Sequence, residues 1–113
     1  MVAKREAPDR GDIVWISLSP QAGHEQAGRR PVLVLSPEAY NEKVGLALCC
    51  PITHRRKGYP FEVVLPEGCP VDGVILSDQV KCLDWRARQA EIAGPVPSDV
   101  VAEVLGKLGA LLA

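Results

Sequence analysis

The sequence predicts a mainly β protein with a C-terminal helix, a small curled antiparallel sheet or barrel. Three observations predict it. Short apolar runs recur between Gly and Pro punctuation, two polar stretches interrupt them, and helical periodicity is sustained only in the last segment. Many short strands with turn signals between them suit a sheet that curls or closes on itself.

Ile13-Val14-Trp15-Ile16, following Arg10-Gly11-Asp12, is β-branched and aromatic and predicts the first strand. Ser19 to Arg30 holds Pro20, Gly23 and Gly28 and shows no hydrophobic period. It predicts a polar loop of about a dozen residues, a length that in a compact domain goes with function or disorder. Val32-Leu33-Val34-Leu35 is apolar throughout, as in a strand covered on both faces. Pro37 to Lys43 has the composition of a short helical turn, and Leu46 to Ile52 predicts the next strand, closed by Pro51. Thr53 to Tyr59 is a second polar loop, and Phe61 to Leu65 a strand with Phe61 in the core. After a turn at Pro66 to Pro70, Gly73 to Leu83 predicts one bent strand or two. Asp84 to Arg88 is a turn, and Gln89 to Ala93 a final strand.

The last segment changes character. Ser98 suits an N-cap and Asp99 the positive end of a helix dipole. Val101, Val104, Leu105, Leu108, Leu111 and Leu112 recur at helical spacing. Gly106 and Gly109 each cost roughly 1 kcal/mol against Ala in a helix, so close packing against a neighbour is expected there.

The 113 residues are 47% hydrophobic and 24% charged, which predicts one domain over residues 1–113 and excludes disorder. No uncharged apolar run approaches the ~20 residues of a membrane span. Met1 to Glu6 leads into a polar turn without the apolar core of a secretory signal, so the expectation is a cytoplasmic chain with no membrane partner. The net charge of −1 argues against a protein that simply coats nucleic acid. Between Arg29 and Lys57, however, six basic residues face only Glu38 and Glu42, so the average hides a positive middle. Cys49, Cys50, Cys69 and Cys82 contain no C-x-x-C pair, and the zinc-ribbon template fails. Adjacent Cys49 and Cys50 point to opposite faces of a strand, and all four thiols are read as free structural side chains. No metal or cofactor is expected.

Two loops carry the candidate chemistry. Gly23-His24-Glu25-Gln26-Ala27-Gly28-Arg29-Arg30-Pro31 brings an imidazole, a carboxylate, an amide and two guanidiniums together between glycines. It is either a solvated connector or a site; Pro31 biases Arg30 to an extended conformation where the strand begins. Thr53-His54-Arg55-Arg56-Lys57-Gly58-Tyr59 sets a hydroxyl at a strand end, then cations beside an aromatic. That mixture fits single-stranded nucleic acid as well as it fits a solvated turn. If the loops converge, His24, Glu25, Arg30 and Thr53 surround a phosphate-sized gap. No order of nucleophile and base and no Gly-rich phosphate loop is present, which leaves metal-free acid–base attack on RNA through its own 2′-OH.

Over nearly its full length the chain resembles the MazF/PemK toxins of type II toxin–antitoxin modules, endoribonucleases also called mRNA interferases. The resemblance rests on Arg10-Gly11-Asp12-Ile13-Val14-Trp15, on Gly23 to Pro37, and on Lys57-Gly58-Tyr59-Pro60-Phe61-Glu62-Val63. Asp78-Gln79-Val80-Lys81 and Asp84-Trp85-Arg86-Ala87-Arg88 extend it. It implies a small SH3-like barrel of the MazF/PemK/CcdB type that forms a homodimer, with single-stranded RNA in the dimer groove. It also implies sequence-specific cleavage to a 2′,3′-cyclic phosphate and a 5′-OH without metal. The catalytic residues it implies are Arg30, Thr53, Glu25 and His24, with Glu25 ahead of His24 as the base. The RNA contacts expected are Gln26 and Arg29 on the first loop, His54, Arg55, Arg56, Lys57 and Tyr59 on the second, and Lys81 and Arg86 beyond. Asp78 matches an aspartate that is catalytic in one branch; that branch has an arginine where this chain has Leu76, so Asp78 is expected to be structural. The resemblance further implies a cognate MazE-like antitoxin whose acidic tail occupies the RNA groove. The alternative is a non-catalytic toxin or RNA-binding module on the same fold, for example a gyrase-binding toxin. Such gyrase poisons use a C-terminal Trp, and this chain has no Trp after Trp85.

Overall fold

The computed structural model describes residues 6–17 and 28–113. His24, Glu25 and Gln26 lie outside the described residues. In chain order the elements are β1 (Asp12–Ser17), β2 (Arg29–Val34), α1 (Glu38–Val44), β3 (Ala47–Thr53), β4 (Glu62–Val64), β5 (Val74–Leu76), β6 (Lys81–Leu83), β7 (Glu91–Pro95) and α2 (Ser98–Leu112). The strands run in the order β4-β5-β3-β2-β1-β7, with β6 also on β3, and every pairing is antiparallel. The fold class is the expected one, mainly β with a C-terminal helix. The sheet is open, since its end strands β4 and β7 do not pair among the described residues.

Strand alternation divides the core. Ile13, Leu33, Cys50, Ile52 and Ile75 pack with Val100, Val101 and Val104 of α2 on one face. Val14, Ile16, Val32, Val34, Ala47 and Cys49 pack with Leu83 and Trp85 on the other. Successive side chains of a strand point to opposite faces, so the adjacent cysteines fall into different clusters, as their spacing predicted. Trp85 keeps its indole N–H satisfied by donating to the Asn41 carbonyl at 2.9 Å. No described helix is long and apolar enough to cross a membrane.

Several boundaries differ from expectation. The second strand starts at Arg29, inside the expected loop, because Arg29 and Arg30 pair with Ser17 and Ile16 of β1; a polar side chain does not stop backbone pairing. Gly73 to Leu83 resolves into two strands, with β5 on the far end of β3 and β6 on its near end. The last strand begins at Glu91, since the turn after Asp84 runs on to Gln89, which sits at φ +56°. The N-cap of α2 is Pro97, whose carbonyl accepts from the Val100 N–H; Ser98 is the first helical residue and caps nothing. Leu105, Leu111 and Leu112 are exposed, as is Val64; α2 packs on the sheet through Val100, Val101, Val104 and, in part, Leu108. A Cβ on Gly106 or Gly109 meets nothing within 4 Å among the described residues. Phe61 is half-buried, Cys69 likewise, and Cys82 is exposed; strand edges, unlike strand centres, leave one side open.

Candidate functional site

The site grows out of one departure in the sheet. β2 and β3 pair from Val34↔Cys49 to Val32↔Pro51 and then stop. Two further steps in that register would set Arg30 opposite Thr53, and directly opposed residues share a face. Thr53 pairs on the opposite edge of β3, with Val74 of β5. The β2–β3 ladder stops where Pro31, which has no N–H to donate, would meet Ile52, and the two strands part beside Pro31 and Pro51. That is where a strand tolerates a residue without an N–H.

The opening is a cleft of about 280 Å³ lined by Trp15, Arg29, Arg30, Pro31, Ile52, Thr53, His54, Arg55, Val71 and Asp72. It joins Arg30 from the first expected loop to Thr53, His54 and Arg55 from the second. Arg30 is exposed on β2, with its side chain at the lip. The Thr53 hydroxyl accepts from the Arg55 N–H at 3.1 Å. With a lone pair engaged there, its proton remains to be donated. A preorganised guanidinium and a hydroxyl donor are what a phosphorane-like transition state requires.

The described flanks of the segment that carries His24 and Glu25 meet at the Ser17↔Arg29 pair, and Arg29 lines the cleft. Arg29 itself is engaged. It donates to the carbonyls of Trp15 and Gln89 at 2.9 and 2.7 Å and stands 3.8 Å from Glu91. Of the other expected contacts, Arg56, Lys57 and Tyr59 share the loop of His54 and Arg55 but do not line the cleft. Lys81 lies on β6 opposite Cys49, and Arg86 stacks on Trp85 at 4.5 Å, near Glu6; neither lines the cleft.

The structure adds residues that sequence reasoning missed. Asp72 brings a carboxylate into the cleft from the turn before β5, and Trp15 forms a wall shared with a second cleft of about 420 Å³ along Glu91, Ile92 and Ala93. The second is larger but holds no group beyond Arg29 and Glu91 that suits the chemistry. The only local signal for Asp72 was its place in a Pro-Val-Asp-Gly turn, which says nothing about which strand end it meets. Burial pushes the Cys49 thiol up to about 12, helped by Cys50 and Cys82, and the Cys50 thiol up to about 11, helped by Asp78. Such thiols are inert as nucleophiles at neutral pH. Among the described residues no group of three His, Cys, Asp or Glu side chains is placed to hold a metal ion.

Residues 9–112 match the family described as PemK-like, MazF-like toxin of type II toxin–antitoxin system. The chain is 48% identical over 111 residues to the endoribonuclease toxin MazF of Escherichia coli K12, covering 98% of this chain and 99% of that one. It superposes on MazF of Deinococcus radiodurans with a TM-score of 0.86 at 58% identity, covering 96% and 98% of the two chains. The MazE-MazF complex from the same organism gives a TM-score of 0.91 at 58% identity, over 96% and 97%.

Proposed function

Since the chain belongs to the PemK-like, MazF-like toxins, we propose that it is the endoribonuclease toxin of a toxin–antitoxin module and cleaves single-stranded RNA in the cleft between β2 and β3. The observation that carries the reading is the convergence of Arg30 and Thr53 on one opening, two register steps past the last β2–β3 pair. Arg30 clamps the non-bridging oxygens of the scissile phosphate, and Thr53 donates its proton to the same charge. A guanidinium is a poor proton acceptor, so the base that takes the 2′ proton is Glu25, with His24 as the second candidate. The 2′ oxygen then attacks phosphorus, the bond to the 5′ oxygen breaks as that oxygen takes a proton from the protonated base or from water, and a 2′,3′-cyclic phosphate and a 5′-OH result. His54 and Arg55 stand at the lip to meet flanking nucleotides, and the reaction takes place in the cytoplasm.

The working unit is a homodimer. Val64, Leu105, Leu111 and Leu112 are exposed apolar side chains that a second copy would cover, and Gly106 and Gly109 leave room for its backbone. The antitoxin partner has an acidic, extended segment that competes with RNA for the cations of this cleft.

Incubation of the purified protein with a long RNA in EDTA, followed by mapping of cut sites and end chemistry, tests the reading. Cutting at a fixed sequence with cyclic phosphate and 5′-OH ends is expected. A requirement for Mg²⁺, or 3′-OH ends, would overturn it. Binding of RNA without cleavage would instead favour the non-catalytic module.

A further inference from the structure

The loop 54–61 has no ladder of its own, yet it is held at both turns by side chains from outside it. The Lys57 N–H donates to Glu62 Oε2 at 2.9 Å and the Gly58 N–H to Glu62 Oε1 at 3.0 Å, so one carboxylate spans two successive amides. Glu62 is the first residue of β4, fixed by its pairing with Leu76 of β5, and its own N–H donates to the Tyr59 carbonyl at 3.2 Å. From the other side Lys107 of α2 donates to the Pro60 carbonyl at 2.6 Å and is steadied by Glu103 at 3.9 Å. A carboxylate thus holds the loop's donors and an ammonium holds its acceptor. Charge-assisted hydrogen bonds of this kind are about twice as strong as neutral ones. The loop so held follows directly on Thr53, the last residue of β3, and carries His54 and Arg55 to the cleft.

We propose that Glu62 is a positioning residue for the RNA-binding loop, supported by Lys107: together they set the path of residues 54–60 and so place His54 and Arg55 for the substrate. Neither side chain lines the cleft. Both act through the loop, and the proposal rests on the reading of this cleft as an RNA site. A loop released from its tethers samples many paths, and each substrate bound must then select one. That cost falls on binding and leaves Arg30 and Thr53, which sit on strands, where they are.

The test uses the full chain and its Glu62→Ala, Glu62→Gln and Lys107→Met variants. Amide exchange at Lys57 and Gly58 reads the tether directly. KM and kcat on an RNA that the parent cleaves read its consequence, and a thermal melt reads stability. In Glu62→Ala the two amides should exchange about tenfold faster or more, and KM should rise about tenfold with kcat within about twofold. Glu62→Gln keeps the shape but offers one oxygen where two N–H groups wait, and should behave nearly as Glu62→Ala. It carries the test if Glu62→Ala does not fold. Lys107→Met should raise KM to a smaller extent. Unchanged exchange at Lys57 and Gly58 overturns the proposal, and so does an unchanged KM in a parent-like fold. A KM that falls overturns it in another way, because the carboxylate would then be competing with phosphate for those amides. If the parent cleaves no RNA, the proposed function fails, while the exchange rates still decide whether the tether exists.

Discussion

A Cβ placed on Gly73 would stand 2.5 Å from the carbonyl oxygen of Thr53. Gly73 also sits at φ +128°, a region nearly closed to other residues, and its carbonyl accepts from the Leu65 N–H at 3.0 Å. The close approach is what lets β5 begin at Val74 beside Thr53, on the edge of β3 opposite β2. Gly73→Ala combines backbone strain with overpacking and should cost about 2–4 kcal/mol in urea unfolding. At temperatures where the variant is folded, kcat/KM on RNA should still fall about tenfold or more, since the shift falls on Thr53. A variant that is destabilised yet fully active would separate Gly73 from the site.

Arg30→Ala should lower kcat by about 10²–10³, the loss of one preorganised donor, with little change in melting temperature because Arg30 is exposed. Thr53→Val keeps the β-branched shape and removes the hydroxyl. It should lower kcat by about tenfold to a hundredfold, and Thr53→Ser should restore most of the loss. Near-parental cleavage by Arg30→Ala would end its assignment as the clamp.

Glu25→Gln separates the two base candidates. If Glu25 is the base, kcat falls and the acidic limb of the pH–rate profile moves or disappears. A rate and profile matching the parent would pass the role to His24.

Arg29 predicts a different signature. Its guanidinium joins the ends of β1 and the turn before β7 through the carbonyls of Trp15 and Gln89. Arg29→Met should therefore cost about 1–2 kcal/mol of stability, discounted for partial exposure. Arg55→Met, by contrast, should weaken RNA binding and shallow its salt dependence without moving the melting temperature.

The buried thiols predict an alkaline limb. Both Cys49 and Cys50 are raised from 9.0, to about 12 and about 11. Above pH 9 the unfolded chain sheds protons that the native state keeps, so their contribution is complete below that pH and is lost as pH rises toward 11 and 12. Each thiol then contributes a slope of up to about 1.4 kcal/mol per pH unit. The melting temperature of the Cys49→Ala, Cys50→Ala double variant should fall less steeply over this range than that of the parent. Parallel alkaline limbs would show that other groups set it.

The family of the chain was legible in local motifs. So were most strand centres, because Ile13-Val14-Trp15-Ile16 and Val32-Leu33-Val34-Leu35 declare themselves by composition. Arg30 and Thr53 were legible too, as polar residues at the ends of apolar runs. Their assembly was not. A strand's alternation is set by its own residues, but its partner at each end is chosen by everything that competes to pair with it. β3 pairs with β2 and β6 along its first part and with β5 at its end. The pairing with β5 depends on Gly73, twenty residues after Thr53 in the sequence, and it brings Asp72 to the cleft. Which residues could do the chemistry, and that a sheet would carry them, is written in local composition. What meets at the end of the β2–β3 ladder is not, because Arg30, Thr53 and Asp72 reach it from segments that only packing brings together.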